Sequence, residues 1–278
     1  MENEIKTVKD YLMAILPYQQ RAQAKPYQKF PRLLYRGQTD RGDPLNGCQL
    51  IATLKQDWRT NLADKERKVI TTIKAYLKYH RNREYTDWEI ESIARHYEVP
   101  TRFLDWSSNC LTALWFSISQ HDNRTNSSME SDKPDMSSVW ILAPDSTYFN
   151  IAKKETSPIP QAPDRKTKIF WPRGICERAE RQDSYMMRQV FKKNDTAGVE
   201  KEYGDAKIIS VESNASFKDR CWLLPITNDV DVRKNLRAEL RQYGYDDKAL
   251  FPDDSELYGS IAWNQLLNEC NEILDMNN

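Results

Sequence analysis

Val8, Tyr11, Leu12, Ile15 and Leu16 recur at the three-to-four-residue interval of one helix face and end before Pro17, so an amphipathic helix is expected to open the chain. Tyr27 to Tyr35 leads into a strand ending at Arg36, and Asp40-Arg41-Gly42-Asp43-Pro44 follows with turn formers. Leu62 to Tyr79 reads as a long helix with Val69, Ile70, Ile73, Tyr76 and Leu77 on one side, and Trp88 to His96 reads as another. Pro100 halts that second helix, because its ring disfavours the helical conformation at Val99. Phe103 and Leu104 then predict a short strand. Ser107 or Ser108 is placed to cap a helix from Cys110 to Ser119, whose Leu111, Leu114, Trp115 and Ile118 form a buried stripe.

The second half alternates more quickly. His121 to Ser138 has almost no apolar content and is expected to be a mobile loop. Val139 to Leu142, Lys168 to Trp171, Ile208 to Val211 and Trp222 to Ile226 are strand candidates, while Glu177 to Phe191 fits a loop entering either a helix or a strand pair. Val230 to Tyr243 and Glu256 to Leu274 carry helical periodicity. Helices at both ends and short strands between them predict an α+β fold: a central, short-stranded mixed sheet flanked by N- and C-terminal helices. Positions 1–278 are expected to form one domain, with a core over about 30–260 and an insertion at 121–138.

Composition narrows the function classes. The mean hydropathy is low, −0.80, yet 8 Trp, 14 Tyr and 8 Phe supply large burial units for a core. Lys+Arg and Asp+Glu are both 41, so no global field draws the chain to nucleic acid or to an anionic membrane. Any such attraction must be local. Between Asp164 and Lys193 basic residues outnumber acidic ones, with Phe170, Trp171 and Tyr185 interleaved, a composition that fits either a nucleic-acid groove or a solvated charged face over core aromatics. No run approaches the ~18 consecutive apolar residues of a membrane span, and Met1-Glu2-Asn3-Glu4 is acidic where a signal peptide is basic, so a soluble cytoplasmic protein is expected. Cys48, Cys110, Cys176, Cys221 and Cys270 are widely spaced without a CxxC pair, and His80, His96 and His121 form no metal-ligand pattern. No metal is expected. GxSxG, GxxxxGK[ST] and GxGxxG are absent.

Two short runs mix apolar residues with charges. Leu33-Leu34-Tyr35-Arg36-Gly37-Gln38 ends a strand on a guanidinium, a glycine and an amide, and Pro100 to Ser107 reads PTRFLDWS. An arginine at a strand mouth offers a rigid donor fork suited to a diphosphate or a carboxylate; Gly37 would let a ligand approach the backbone, and Gln38 adds a directional amide. The alternative is an internal pair between Arg36 and a carboxylate such as Asp105. In PTRFLDWS, Thr101 and Ser107 are candidate hydroxyl donors and Arg102 and Asp105 candidate orienting charges, against a purely core role for the run. His96 is either a helix-end cation or a base near the pocket.

These runs resemble the FRG-domain family, named for a Phe-Arg-Gly motif and carrying a segment close to QHxGxPTRLLDWT…NPLxALxFA. The likeness rests on Tyr35 to Gln38, on Ala94 to Ser107 and on Leu111 to Phe116, with Glu180 to Tyr185 and Leu250 to Asp253 fitting later family segments. Tyr35 replaces the family's Phe, Arg95 its Gln, Glu98 its Gly, and Ser108-Asn109-Cys110 its Asn-Pro. Glu98 matters if that glycine has positive φ. The layout is also similar to that of ADP-ribosyltransferases of the Arg-Ser-Glu type, which implies a sheet of that kind and NAD as substrate. On that resemblance Arg36 grips the diphosphate or ribose, Thr101 or Ser107 supports the nicotinamide ribose, and Gln182 or Glu180 supplies the third, catalytic position. Gly37, Gln38, His96, Arg102 and Asp105 complete the implied binding set. The implied activity is ADP-ribosyl transfer to a protein or nucleic acid, or NAD hydrolysis, of toxin or phage-defence type. A non-catalytic nucleotide- or nucleic-acid-binding module is the alternative.

Overall fold

The structure is a computed structural model that describes residues 4–22, 33–38, 62–119, 137–149, 167–189, 191–192, 207–208, 211, 217–227, 229–252 and 258–274. The expected loop at 121–136 and the first part of the strand expected from Tyr27 lie outside them. Helix α1 (Val8–Ala22) runs through Pro17 instead of ending before it. A proline inside a helix removes the N–H that would bond the carbonyl four residues back; here that is Met13, which is 59% exposed, so water can take the place of the lost donor. Helices α2 (Leu62–Arg81) and α3 (Asp87–His96) follow. Helix α3 starts in a capping box: Thr86 Oγ1 accepts from the Glu89 N–H, and the Glu89 carboxylate accepts from the Thr86 N–H at 2.8 Å.

Strands β1 (Leu34–Gln38), β2 (Phe103–Ser107), β3 (Ser138–Leu142), β4 (Lys168–Phe170), β5 (Ser184–Arg188) and β8 (Cys221–Pro225) form one sheet in the order β4-β5-β2-β1-β3-β8. β6 (Phe191–Lys192) and β7 (Lys207–Ile208) make a separate two-stranded ribbon. Every neighbouring pair is antiparallel, which corrects the mixed sheet expected from the sequence. The α+β class itself holds. Hydrophobic pattern fixes where strands are but not their direction, and no βαβ crossover is present among these strands to impose parallel pairing.

Strand alternation divides the core. Tyr35, Val139 and Ile141 face helix α4 (Cys110–Ser119), α1 and α6 (Val230–Gln242), while Leu34, Leu104, Trp106, Trp140, Leu142 and Met187 pack on the opposite face. Each large apolar side chain buried there contributes about 1.5–3 kcal/mol. A further apolar cluster joins α2, α3 and α8 (Ile261–Ile273) through Ile73, Leu77, Ile93, Trp263 and Leu266.

The cap of α4 is neither serine. Asn109 Oδ1 accepts from the Leu111 N–H at 3.0 Å, and Ser107 instead accepts from the Asn109 N–H at 2.9 Å while its hydroxyl donates to the Gln182 carbonyl at 2.8 Å. The segment from Glu177 resolves into a short helix α5 (Glu177–Arg181) followed by β5. α7 (Asp247–Leu250) brings Phe251 against Trp115 and Phe116 of α4, so this ring closes over the helix that covers β1. Among the described residues no helix is long and apolar enough to cross a membrane.

Candidate anion site between β1 and β2

β1 is bonded to its two neighbours very unequally. It pairs with β3 over its whole length, from Leu34 opposite Leu142 to Gln38 opposite Ser138, but with β2 only where Tyr35 lies opposite Ser107. Beyond that point the two strands part, and the Arg36 side chain fills the divergence. Arg36 Nη1 donates to the Asp105 carbonyl at 2.7 Å, replacing a ladder bond, and to Asp105 Oδ1 at 2.8 Å. Arg95, near the end of α3, donates through Nε to the same Oδ1 at 2.7 Å. One carboxylate oxygen thus holds two guanidiniums.

The cluster is half-open. Arg36, Arg95 and Asp105 side chains retain 13%, 14% and 28% of their exposure. Arg36 Nη2, both terminal nitrogens of Arg95 and Asp105 Oδ2 have no protein partner among the described residues and reach solvent, whereas Arg36 Nε is buried and unbonded. Burial pushes the Asp105 carboxyl up, but the attraction of Arg36 and then Arg95 outweighs it and holds the group well below the ordinary carboxylate range. Asp105 is therefore ionised, and the three side chains carry a net charge of about +1 at neutral pH.

His96 adjoins this cluster as a neutral ring. Burial takes its pKa down to about 3; Asp105 pulls the other way, and Arg178 and Arg95 add to the lowering. The helix-end cation considered from sequence is thereby excluded. Its Nε2 is buried without a partner, and its carbonyl accepts from Arg178 Nη1 at 2.5 Å. Arg178 in turn lies over Phe251, 4.3 Å from the ring centroid.

The remaining sequence candidates are placed as follows. The room that Gly37 leaves is taken by α4, not by solvent: a Cβ there would sit 2.0 Å from the Ala113 carbonyl oxygen and 2.5 Å from the Ser117 nitrogen. The close approach that glycine permits is helix on strand. Gln38 Oε1 accepts from Trp140 Nε1 at 2.7 Å. Arg102 is shut inside just before β2, its Nε bonded to Glu66 Oε1 at 2.7 Å and Nη1 to the Gln189 carbonyl at 3.0 Å, so it does not join Arg36. Thr101 is buried, its Oγ1 accepting from the Phe103 N–H at 3.2 Å. Gln182 lies beside Ser107 at the other end of β2, six residue positions from Thr101 and on the order of 20 Å along an extended chain. Gln182 Nε2 donates to the Leu250 carbonyl.

Glu180 is exposed, and its Oε1 accepts from the Gly174 N–H at 3.0 Å. It stands two residues after Arg178, hence about 200° around the helix from the side chain that reaches His96. It lines a different space, a cavity of about 440 Å³ with Arg81, Arg83, Tyr85, Cys176 and Tyr258 around it. Thus Arg36, Asp105 and His96 come together, while Thr101, Arg102, Gln182 and Glu180 do not converge on them.

Sequence reasoning assigned no role to Arg95, because an arginine in the last turn of a helix is an ordinary complement to the helix dipole. Its signal was position: one residue before His96 and ten before Asp105. Elsewhere, the rings of the basic-aromatic segment pack on one another and on an arginine, with Trp171 still exposed. Trp171 is stacked on Tyr185 at 5.4 Å, and the Arg173 guanidinium lies 3.5 Å from its centroid on top. No group of three His, Cys, Asp or Glu side chains is arranged to hold a metal ion among the described residues.

Residues 31–126 match the family model of the FRG domain, so the chain carries an FRG domain over that stretch. No curated protein and no solved structure matches the chain significantly. The matched stretch contains the Arg36, Arg95 and Asp105 cluster, together with His96, Thr101 and the whole of α4.

Proposed function

We propose that the chain is an NAD-using protein, an ADP-ribosyltransferase or NAD glycohydrolase of the toxin or phage-defence kind, that receives the NAD diphosphate where β1 and β2 part. The observation that carries the reading is the pair of guanidiniums on one partly exposed carboxylate with donors left over. A guanidinium fixed through one edge offers a preorganised fork to a phosphoryl group through the other. Asp105 Oδ2 is the oxygen of that carboxylate left without a partner among the described residues. It takes the part for which Glu180 or Gln182 was expected, standing against the positive charge that develops on the ribose as the nicotinamide leaves with the bonding electron pair. Water, or the hydroxyl or guanidinium of an acceptor, then attacks the ribose carbon and releases a proton, whereas an acceptor carboxylate attacks with none to release.

A second reading, nucleotide binding without turnover, is favoured by the position of Glu180 on another side of α5. Nicotinamide release from NAD, followed by chromatography with and without cell extract, separates the two. Release by the wild-type chain and none by Arg36→Ala supports turnover. ADP-ribose binding with no release in any extract supports the second reading, and neither binding nor release sinks both.

A further inference from the structure

We propose that Arg95 is the specificity-determining second grip of this site and makes it select a diphosphate over a monophosphate. The inference rests on the proposed diphosphate reading of the cluster and adds a residue and a ligand class to it. Arg36 Nη1 and Arg95 Nε bond the same oxygen of Asp105 at 2.8 and 2.7 Å, so these nitrogens stand no further apart than about 5.5 Å, the two bonds end to end. Each guanidinium spends part of its donor set on this tether. Arg36 keeps Nη2, and Arg95 keeps Nη1 and Nη2, all in contact with solvent and without a partner among the described residues.

A single phosphoryl group is satisfied by one fork. Two linked phosphoryl groups engage two neighbouring forks at once, and the second contact then costs no further loss of translational freedom. The charge balance agrees. Asp105 neutralises one guanidinium and His96 stays uncharged, which leaves a surplus positive charge that a more highly charged anion exploits best. Arg95 comes from α3 and Arg36 from β1, so the grip spans two elements whose spacing is set by the capped helix and the packed strand. A lysine at 95 would keep the charge but lose the Nε tether that fixes the second fork.

Calorimetric titration of the full chain with inorganic pyrophosphate and with orthophosphate tests this. The wild type is expected to prefer pyrophosphate by about tenfold or more. Arg95→Gln should weaken pyrophosphate about 10- to 100-fold, the span of hydrogen bonds to charged groups, and leave orthophosphate within about threefold. Arg95→Lys, with charge retained, should fall between; it also carries the test if thermal melting shows the glutamine variant to be unfolded. A wild type without preference, or an Arg95→Gln chain that melts normally and keeps the wild-type ratio, overturns the proposal. Failure of NAD turnover alongside a collapsed ratio removes the enzyme reading and leaves this inference standing. Turnover lost in Arg36→Ala with the ratio unchanged in Arg95→Gln removes this inference alone.

Discussion

Two arginine–carboxylate sites lie near β2, one at Arg102 just before the strand and one at Asp105 within it, and the two have opposite characters. Arg102 and Glu66 meet at 2.7 Å with side chains 2% and 4% exposed; Arg36 and Arg95 meet Asp105 at 2.8 and 2.7 Å with the carboxylate 28% exposed. Bond length does not distinguish them. The closed site uses Arg102 on Glu66 and on the Gln189 carbonyl, and its surroundings hold a second buried acid, Glu91, whose pKa is raised well above the ordinary range by burial and then by Glu66. The open site has one acid for two arginines and keeps donors facing water. An ion pair sealed from solvent is a structural tie, whereas a surplus of oriented donors at a strand divergence is a place for a ligand.

Arg102→Ala should have the largest effect, about 3–5 kcal/mol in urea unfolding, because it strands Glu66 in the interior. If it costs no more than a surface change, the contrast between the two sites is lost. Gly37→Ala should cost about 3 kcal/mol by the same measurement, since α4, the wall behind the open site, must move to admit the methyl group. Burial without loss of stability there would mean that α4 adjusts freely.

His96 should give the open site a pH signature. Its folded pKa of about 3 lies below the ordinary 6.5, so the unfolded chain takes the proton first. The stability due to the neutral ring is complete above about 6.5 and is lost as pH falls from there towards 3. Near pH 5 the loss is about 2 kcal/mol, from roughly 1.4 kcal/mol per unit. His96→Gln should remove that slope when wild type and variant are compared. The difference isolates His96 from Glu66 and Glu91, whose raised pKa values act with the opposite sign, stability falling as pH rises above the ordinary 4.5.

Arg36→Ala should cost only about 1.5 kcal/mol, because Asp105 retains Arg95, while abolishing ligand binding. A loss matching that of Arg102→Ala would make both sites structural. The smallest effect is expected of Glu98→Gly, a gain of about 1 kcal/mol in melting experiments. Glu98 has φ +72°, in the left-handed region that a side chain disfavours, just after the helix that carries Arg95 and His96. No gain would mean that the glutamate's own contacts offset the strain.

Much of this was legible in the chain. Helical spacing located α2, α3, α4 and α6, since a buried stripe must repeat every three to four residues whatever lies above it. The FRG likeness drew Arg36, His96 and Asp105 into one group, though together with Gly37, Gln38, Thr101, Arg102 and Ser107, and the glycine-to-glutamate departure at 98 marked a residue that has positive φ. Thr101, Gln182 and Glu180 were misgrouped because adjacency in a motif says nothing of which end or face a side chain occupies. Ser107 was read as a ligand donor and a cap, yet its hydroxyl is spent between Asn109 and Gln182, residues whose proximity depends on the β2–β5 pairing.

The sequence by itself determined the elements, the α+β class and the residue types able to hold an anion. These follow from local periodicity, turn chemistry and the fixed properties of guanidinium and carboxylate groups. Only the tertiary structure decided that every strand pairs antiparallel, that Gly37 yields its space to α4 and that Asp105 shares one oxygen between Arg36 and Arg95. Strand direction, close approach and burial are relations between segments distant in the chain, and they determine which of two equally short ion pairs is sealed and which is left open.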